Sequence, residues 1–222
     1  INTDLLGVII ERISGQRLSA YFDEHIFGPL RMVDTFYELP EEKMNRTVTV
    51  MVRAGDELAE LPTLQPTPME KGSMAHYGGG GGLYSTVADY GRVLQMLLSE
   101  GALEGETLLN PETVKSMFKN NIGDIQLATL ETVMPELSNT ADLSFGSPAT
   151  FGLGLLLHSE GIEGGRKAYS GSWAGLFNSY FWVDRESKTY GIFGTQILPF
   201  FDAASVKTFL KLEQAVYAQN PE

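Results

Sequence analysis

Residues 151–200 read FGLGLLLHSEGIEGGRKAYSGSWAGLFNSYFWVDRESKTYGIFGTQILPF, three strand-like runs separated by glycine-rich junctions. Successive side chains of an extended chain point to opposite faces, so Phe151, Leu153, Leu155 and Leu157 share one side of the first run. In the second run Ser179, Phe181 and Val183 oppose Tyr180 and Trp182, and the third spans Thr189 to Ile197. Arg185, Glu186, Ser187 and Lys188 form a polar connection of hairpin length, which predicts that the last two runs are antiparallel neighbours. The segment before Leu176 then becomes the rim of a sheet. Its small residues, Gly171, Ala174 and Gly175, allow another molecule to approach the backbone, although the same glycines would serve a twisted sheet equally well.

Outward from the sheet, helical spacing dominates. Leu5, Leu6, Ile9, Ile10 and Ile13 recur on one side with Glu11 and Arg12 opposite and Gly15 as a stop, which predicts a buried helix with one wet face. A second helix is expected from Ser19 to Ile26, ended by Gly28-Pro29. Residues 31–74, with a β-rich run at Thr47–Val52, read as an excursion outside the core. Gly78 to Gly82 precede an amphipathic helix carrying Tyr90, Leu94 and Leu97, with Thr86 and Asp89 at capping-box spacing. No lysine follows these glycines and no dinucleotide spacing accompanies them, so they predict a tight backbone course beside a helix or cleft, not a phosphate loop. Asn110-Pro111-Glu112 should open a helix to about Asn120, residues 123–149 a connection with a helix through Leu130, and Ala203 to Val216 a terminal helix.

The chain has 222 residues, 43% of them hydrophobic, enough for a substantial core. A net charge of -12 disfavours nucleic acid and anionic membrane surfaces as partners. Without cysteine there is no disulfide, thiolate nucleophile or zinc–thiolate site. The first residue is not Met and already follows a helical pattern, which leads to the expectation that an N-terminal portion precedes it. Residues 1–145 form a mainly helical and loop portion, and residues 146–222 the strands with the last helix. The three histidines, His25, His76 and His158, stand in unrelated elements without metal-ligand spacing and suit structural or surface roles. There is no Gly-x-Ser-x-Gly elbow, and the motif reading finds no lysine with a serine three positions earlier, hence no Ser-x-x-Lys. On the residues alone, half of a site is present.

Taken in order, LLGVIIERISGQ (5–16), GGGGGLYSTVADYGRVLQMLLSEGALEGETLLNPETVKSM (78–117), FGLG (151–154), WAGLFNSYFWVD (173–184) and GIFGTQILPF (191–200) resemble the serine β-lactamase-like superfamily. The likeness is closest to the family VIII carboxylesterases, themselves similar to class C β-lactamases, and covers nearly the whole chain. It implies an α+β fold with an antiparallel sheet flanked by helices, incomplete on its N-terminal side. In that family a Ser-x-x-Lys pair and a tyrosine ahead of the first helix carry the chemistry, and matching Asp4 and LLG places all three outside this chain. The resemblance puts the family's third motif on Trp173, Ala174 and Gly175, with Ala174 adding a methyl where the esterases have glycine. A rival register uses Tyr169, Ser170 and Gly171. Neither has the lactamase lysine, which disfavours lactam recognition.

The activity so implied is cleavage of short-chain carboxylic esters through an acyl-enzyme, with Leu176 N–H as one oxyanion donor and Trp173 beside the substrate. Cleavage of β-lactams or D-Ala-D-Ala peptides, acyl transfer, and non-catalytic binding are the alternatives. No cofactor or metal is implied. The expected partners are a small ester and the N-terminal part of the same protein, and the expected setting is soluble, cytoplasmic ahead of periplasmic.

Overall fold

The computed structural model describes residues 2–219; Ile1, Asn220, Pro221 and Glu222, which the two sequence halves include, lie outside the described residues. In chain order these residues form α1 (Asn2–Ser14), α2 (Leu18–Phe22) continued by a π turn (Asp23–Phe27), β1 (Met51–Ala54), β2 (Glu57–Glu60) and α3 (Val87–Leu98). There follow β3 (Ala102–Leu103), β4 (Glu106–Thr107), α4 (Pro111–Met117), β5 (Ala149–Phe151), β6 (Leu156–His158) and β7 (Ser170–Gly175). The chain continues through β8 (Ser179–Asp184), β9 (Thr189–Phe193), β10 (Ile197–Leu198) and α5 (Ala203–Ala218).

The main sheet has the order β5-β6-β7-β8-β9, and its neighbouring strands are antiparallel. The expected hairpin across residues 185–188 is β8–β9, paired from Asp184↔Thr189 to Tyr180↔Phe193. Alternation in β8 serves two cores. Phe181 and Val183 join Leu94, Leu97, Leu155 and Leu157 on the α3 side, whereas Tyr180 and Trp182 pack on Phe209 of α5. Both faces are therefore covered by helices, and each fully buried large side chain contributes about 1.5–3 kcal/mol. A Cβ at Gly191, opposite Trp182, would lie 2.0 Å from the indole, so the ring occupies the space that a side chain there would need. Thr86 and Asn110 cap α3 and α4 as their spacing predicts, accepting from Asp89 N–H and Thr113 N–H.

Several expectations need correction. The run 151–157 is two strands, because the chain turns back over Gly152–Leu155, where Gly152 N–H donates to Leu155 O at 2.8 Å. The segment before Leu176 is the middle strand of the sheet, although β6 reaches only Ser170–Ser172. Trp173, Ala174 and Gly175 have a strand partner on one side only, so the rim exists as the upper half of β7. No helix passes through Leu130, which instead bridges Ala141, and α4 stops at Met117. Residues 31–74 are more than excursion: Met32, Tyr37, Leu39 and Val50 are buried. Within them β1 pairs antiparallel with β2 and parallel with β10, through Met51↔Ile197 and Val52↔Leu198.

The largest correction concerns α1. Leu5, Leu6, Ile9 and Ile13 are all exposed, Ile13 at 82%, while half-buried Ile10 packs on Leu18, Tyr37 and Tyr77, so most of the apolar stripe faces outward in the described chain. What α1 buries is Gly7, on which a Cβ would come within 3.3 Å of the Gly79 backbone. The Gly7–Gly79 contact brings helix and glycine run together backbone to backbone, the tight course expected of that run.

Candidate active site

The glycine run, the end of β7 and the 34–66 excursion enclose a cleft of about 730 Å³. The run enters the cleft from Gly79, which packs on α1: its hypothetical Cβ would sit 2.2 Å from Thr3 O and 3.1 Å from Gly7 N, a collision that only glycine avoids. Gly80 N–H then donates to Asp4 Oδ1 at 3.0 Å, and Gly80, Gly81 and Gly82 continue along the cleft. Tyr37 OH donates to Gly78 O at 2.8 Å from beneath. Burial pushes the Tyr37 hydroxyl up to about 12, so it remains a neutral donor at physiological pH.

The facing wall is Gly175, Leu176 and Phe177. Among the described residues Leu176 N–H donates to no acceptor, whereas the residues around it are tied down. Thr195 Oγ1 donates to Phe177 O at 2.6 Å and Ile197 N–H to the same carbonyl at 3.2 Å. Asn178 anchors the turn from below. It is fully buried in the left-handed region at φ 59°. Its amide NH2 donates to Ile197 O and Pro199 O, each at 2.8 Å. Its Oδ1 accepts from Tyr180 OH at 2.8 Å and Asp202 N–H at 2.9 Å. All the donors and acceptors of one side chain are thereby used, and the turn carrying Leu176 N–H is held to β10 and to the start of α5.

A third wall carries charge. Asp34 accepts from Lys43 Nζ at 2.6 Å and from Arg46 Nη1 and Nη2 at 2.6 and 2.7 Å. The Arg46 and then the Lys43 hydrogen bonds hold the Asp34 carboxyl well below the usual range. Behind it, buried Asp89 accepts from Asp34 N–H at 2.7 Å and Thr35 Oγ1 at 2.9 Å. Val48, Leu64, Leu83 and Leu176 expose apolar surface around the same opening.

Of the residues singled out from sequence, Gly175 and Leu176 line the cleft. Trp173 is 41% exposed, edge-on to Phe151 with ring centroids 5.3 Å apart, and Ala174 turns to the opposite face, against the α5-side clusters. Tyr169 and Ser170 stand at the other end of β7, about 17 Å of extended strand away, and do not line the cleft. There Tyr169 N–H donates to His158 O at 2.7 Å and Ser170 Oγ to Lys167 O at 2.7 Å. The chain does hold one Ser-x-x-Lys spacing, Ser116 to Lys119, which the motif reading passes over. Ser116 Oγ donates to Glu112 O at 2.8 Å within its own helix, Lys119 is exposed, and neither lines the cleft. Asn178 and the Asp34–Lys43–Arg46 cluster were also missed. An asparagine three residues past the motif, at a hairpin turn between apolar runs, is a signal for a left-handed turn position.

Residues 1–215 match the family model described as Beta-lactamase. The chain belongs to the Beta-lactamase family. Among curated relatives of this β-lactamase-family chain, Protein Rv1367c of Mycobacterium tuberculosis is 32% identical over 55% of the chain and 30% of its own length. Lovastatin esterase of Penicillium rubens is 26% identical, over 88% of the chain and 49% of its own length. The LovD6 mutant of simvastatin synthase from Aspergillus terreus superposes with a TM-score of 0.79 at 24% identity, covering 97% of the chain and 53% of that structure. The structural match establishes a shared β-lactamase-like α+β fold. The chain spans about half the length, or less, of the relatives that it matches. No helix among the described residues is long and apolar enough to cross a membrane.

Proposed function

We propose that this chain is the sheet-bearing part of a serine hydrolase that cleaves short-chain carboxylic esters through an acyl-enzyme. The observation that carries the reading is the Leu176 N–H, which has no acceptor among the described residues and sits on a braced turn in the wall of an apolar-rimmed cleft. A backbone donor fixed before reaction stabilises the oxyanion of a tetrahedral intermediate without reorganising. In this reading Trp173, Ala174 and Gly175 form the strand along which the substrate lies, since β6 leaves that half of β7 open. Tyr169 and Ser170 support the far end of the same strand.

The nucleophilic serine, its lysine and the tyrosine come from an N-terminal part of the same protein. Support comes from the relatives' greater length and from the outward apolar stripe of α1, a surface suited to packing against further chain. The absence of a lysine in Trp173-Ala174-Gly175 favours ester over lactam recognition at this strand.

Parallel assays of the full-length protein with a chromogenic butyrate ester and a chromogenic cephalosporin test the reading. Ester turnover that is abolished by a fluorophosphonate is the expected result. Cephalosporin turnover far above ester turnover would sink it.

A further inference from the structure

The cleft distributes charge unlike the rest of the molecule. The chain as a whole carries -12, yet the ionised side chains among the residues lining the cleft are Asp34, Lys43 and Arg46, which sum to one positive charge. Asp34 is the carboxylate between two cations and leaves N–H groups on both unspent. Lys43 uses one donor on it and Arg46 two, while the side chains stay 30% and 51% exposed. The nearby carboxylate Asp89 is buried behind Asp34, where its Oδ2 already accepts from Asp34 N–H and Thr35 Oγ1. It offsets charge from behind but offers no competing acceptor inside the cleft. Around the cations, Val48, Leu64, Leu83 and Leu176 present apolar surface.

We infer that Lys43 and Arg46 form an anion-recognising subsite, so that the preferred esters have an apolar body and carry a carboxylate. The inference rests on the ester-hydrolase reading and narrows its substrate class. Asp34 orients the two cations beforehand, and the substrate carboxylate accepts from their remaining donors. Charge-assisted hydrogen bonds of this kind are about twice as strong as neutral ones, and an arginine fork adds direction.

The test measures kcat/KM of the full-length protein for three esters. They are para-nitrophenyl butyrate, the para-nitrophenyl half-ester of glutarate with its carboxylate on the acyl side, and the butyrate ester of para-hydroxybenzoate with its carboxylate on the alcohol side. One of the anionic esters should exceed the neutral one after correction for intrinsic reactivity, and which one does so assigns the side. Lys43→Gln and Arg46→Gln should each lower that anionic-to-neutral ratio about tenfold. Raising the salt from about 0.05 to about 0.5 M should lower it in the wild type, a readout that does not depend on a variant folding. If the neutral ester is hydrolysed while the ratio ignores both substitutions and salt, the anion subsite is refuted and ester hydrolysis stands. If no ester is hydrolysed, both fall together.

Discussion

Replacing His158 by Gln probes how a buried imidazole ties this sheet to pH. His158 is fully buried, and its Nε2 lies 3.0 Å from Leu143 O. A carbonyl only accepts, so the neutral ring holds its proton on Nε2, leaving Nδ1 buried without a partner among the described residues. Burial first, and the neighbouring Arg166 charge second, bring its pKa from 6.5 down to about 4. The unfolded chain therefore binds a proton between those values that the folded chain refuses. The contribution is present in full above pH 6.5 and is lost as the pH falls toward 4. At about 1.4 kcal/mol per unit the shift is worth on the order of 3 kcal/mol. Urea unfolding of the full-length protein across this range should show the wild type losing that much more stability than His158→Gln. The glutamine amide can still donate to Leu143 O but does not titrate. An imidazole titration followed by NMR, with a midpoint near 4, checks the same point without a variant. Parallel pH–stability curves, or a midpoint near 6.5, would refute the reasoning.

Gly79→Ala should lower stability by about 3 kcal/mol, since its methyl meets the Thr3 and Gly7 backbone, which cannot rotate aside. Gly81→Ala, with open space around the new methyl, should stay within about 0.5 kcal/mol of the wild type by thermal unfolding; equal losses at both sites would contradict the packing described. Asn178→Ala leaves two carbonyls, a tyrosine hydroxyl and the Asp202 N–H without their partner, and should reduce kcat for the ester at least tenfold with little change in KM. A change confined to KM would show that the turn does not position an oxyanion donor. Asp202 is pulled upward by burial, but Arg53 and the Ser205 N–H and Oγ–H outweigh that, so its pKa lies below 3.8. Its contribution is present above 3.8 and is lost below; Asp202→Asn should cost about 1–3 kcal/mol at pH 7, and the difference should close in acid unfolding below pH 4.

The strand alternation of residues 179–184 was legible because it records two real environments, α3 on one side and α5 on the other. The caps at Thr86 and Asn110 were legible because the accepting side chain and the donating N–H are only three residues apart. What escaped the sequence is what depends on distant partners. The apolar stripe of α1 has helical periodicity whether or not anything covers it, so periodicity alone predicted burial that the described chain does not show. β7 looked like a rim because its own residues cannot reveal that Leu156–His158 pairs with Ser170–Ser172. The cleft's charged wall joins residue 34 to residues 43 and 46 of the short 3-10 helix Glu41–Arg46, and its opposition to residues 175–177 exists only in three dimensions.

The pairing of β1 with β10 has a consequence for how such a protein diverges. The wall bearing Lys43, Arg46 and Val48 belongs to a segment that joins the strands after Leu176 through two paired residues and the Arg53–Asp202 contact. On the proposed reading, the strand along which the substrate lies and the segment bearing the charged wall are separate parts of the fold, joined at a narrow seam. On that reading, substitutions at Lys43, Arg46, Val48 and Leu64 should change what is accepted while β7, Asn178 and the turn at Leu176 keep their positions. Relatives with different substrates should differ most along that outer segment and least beneath it.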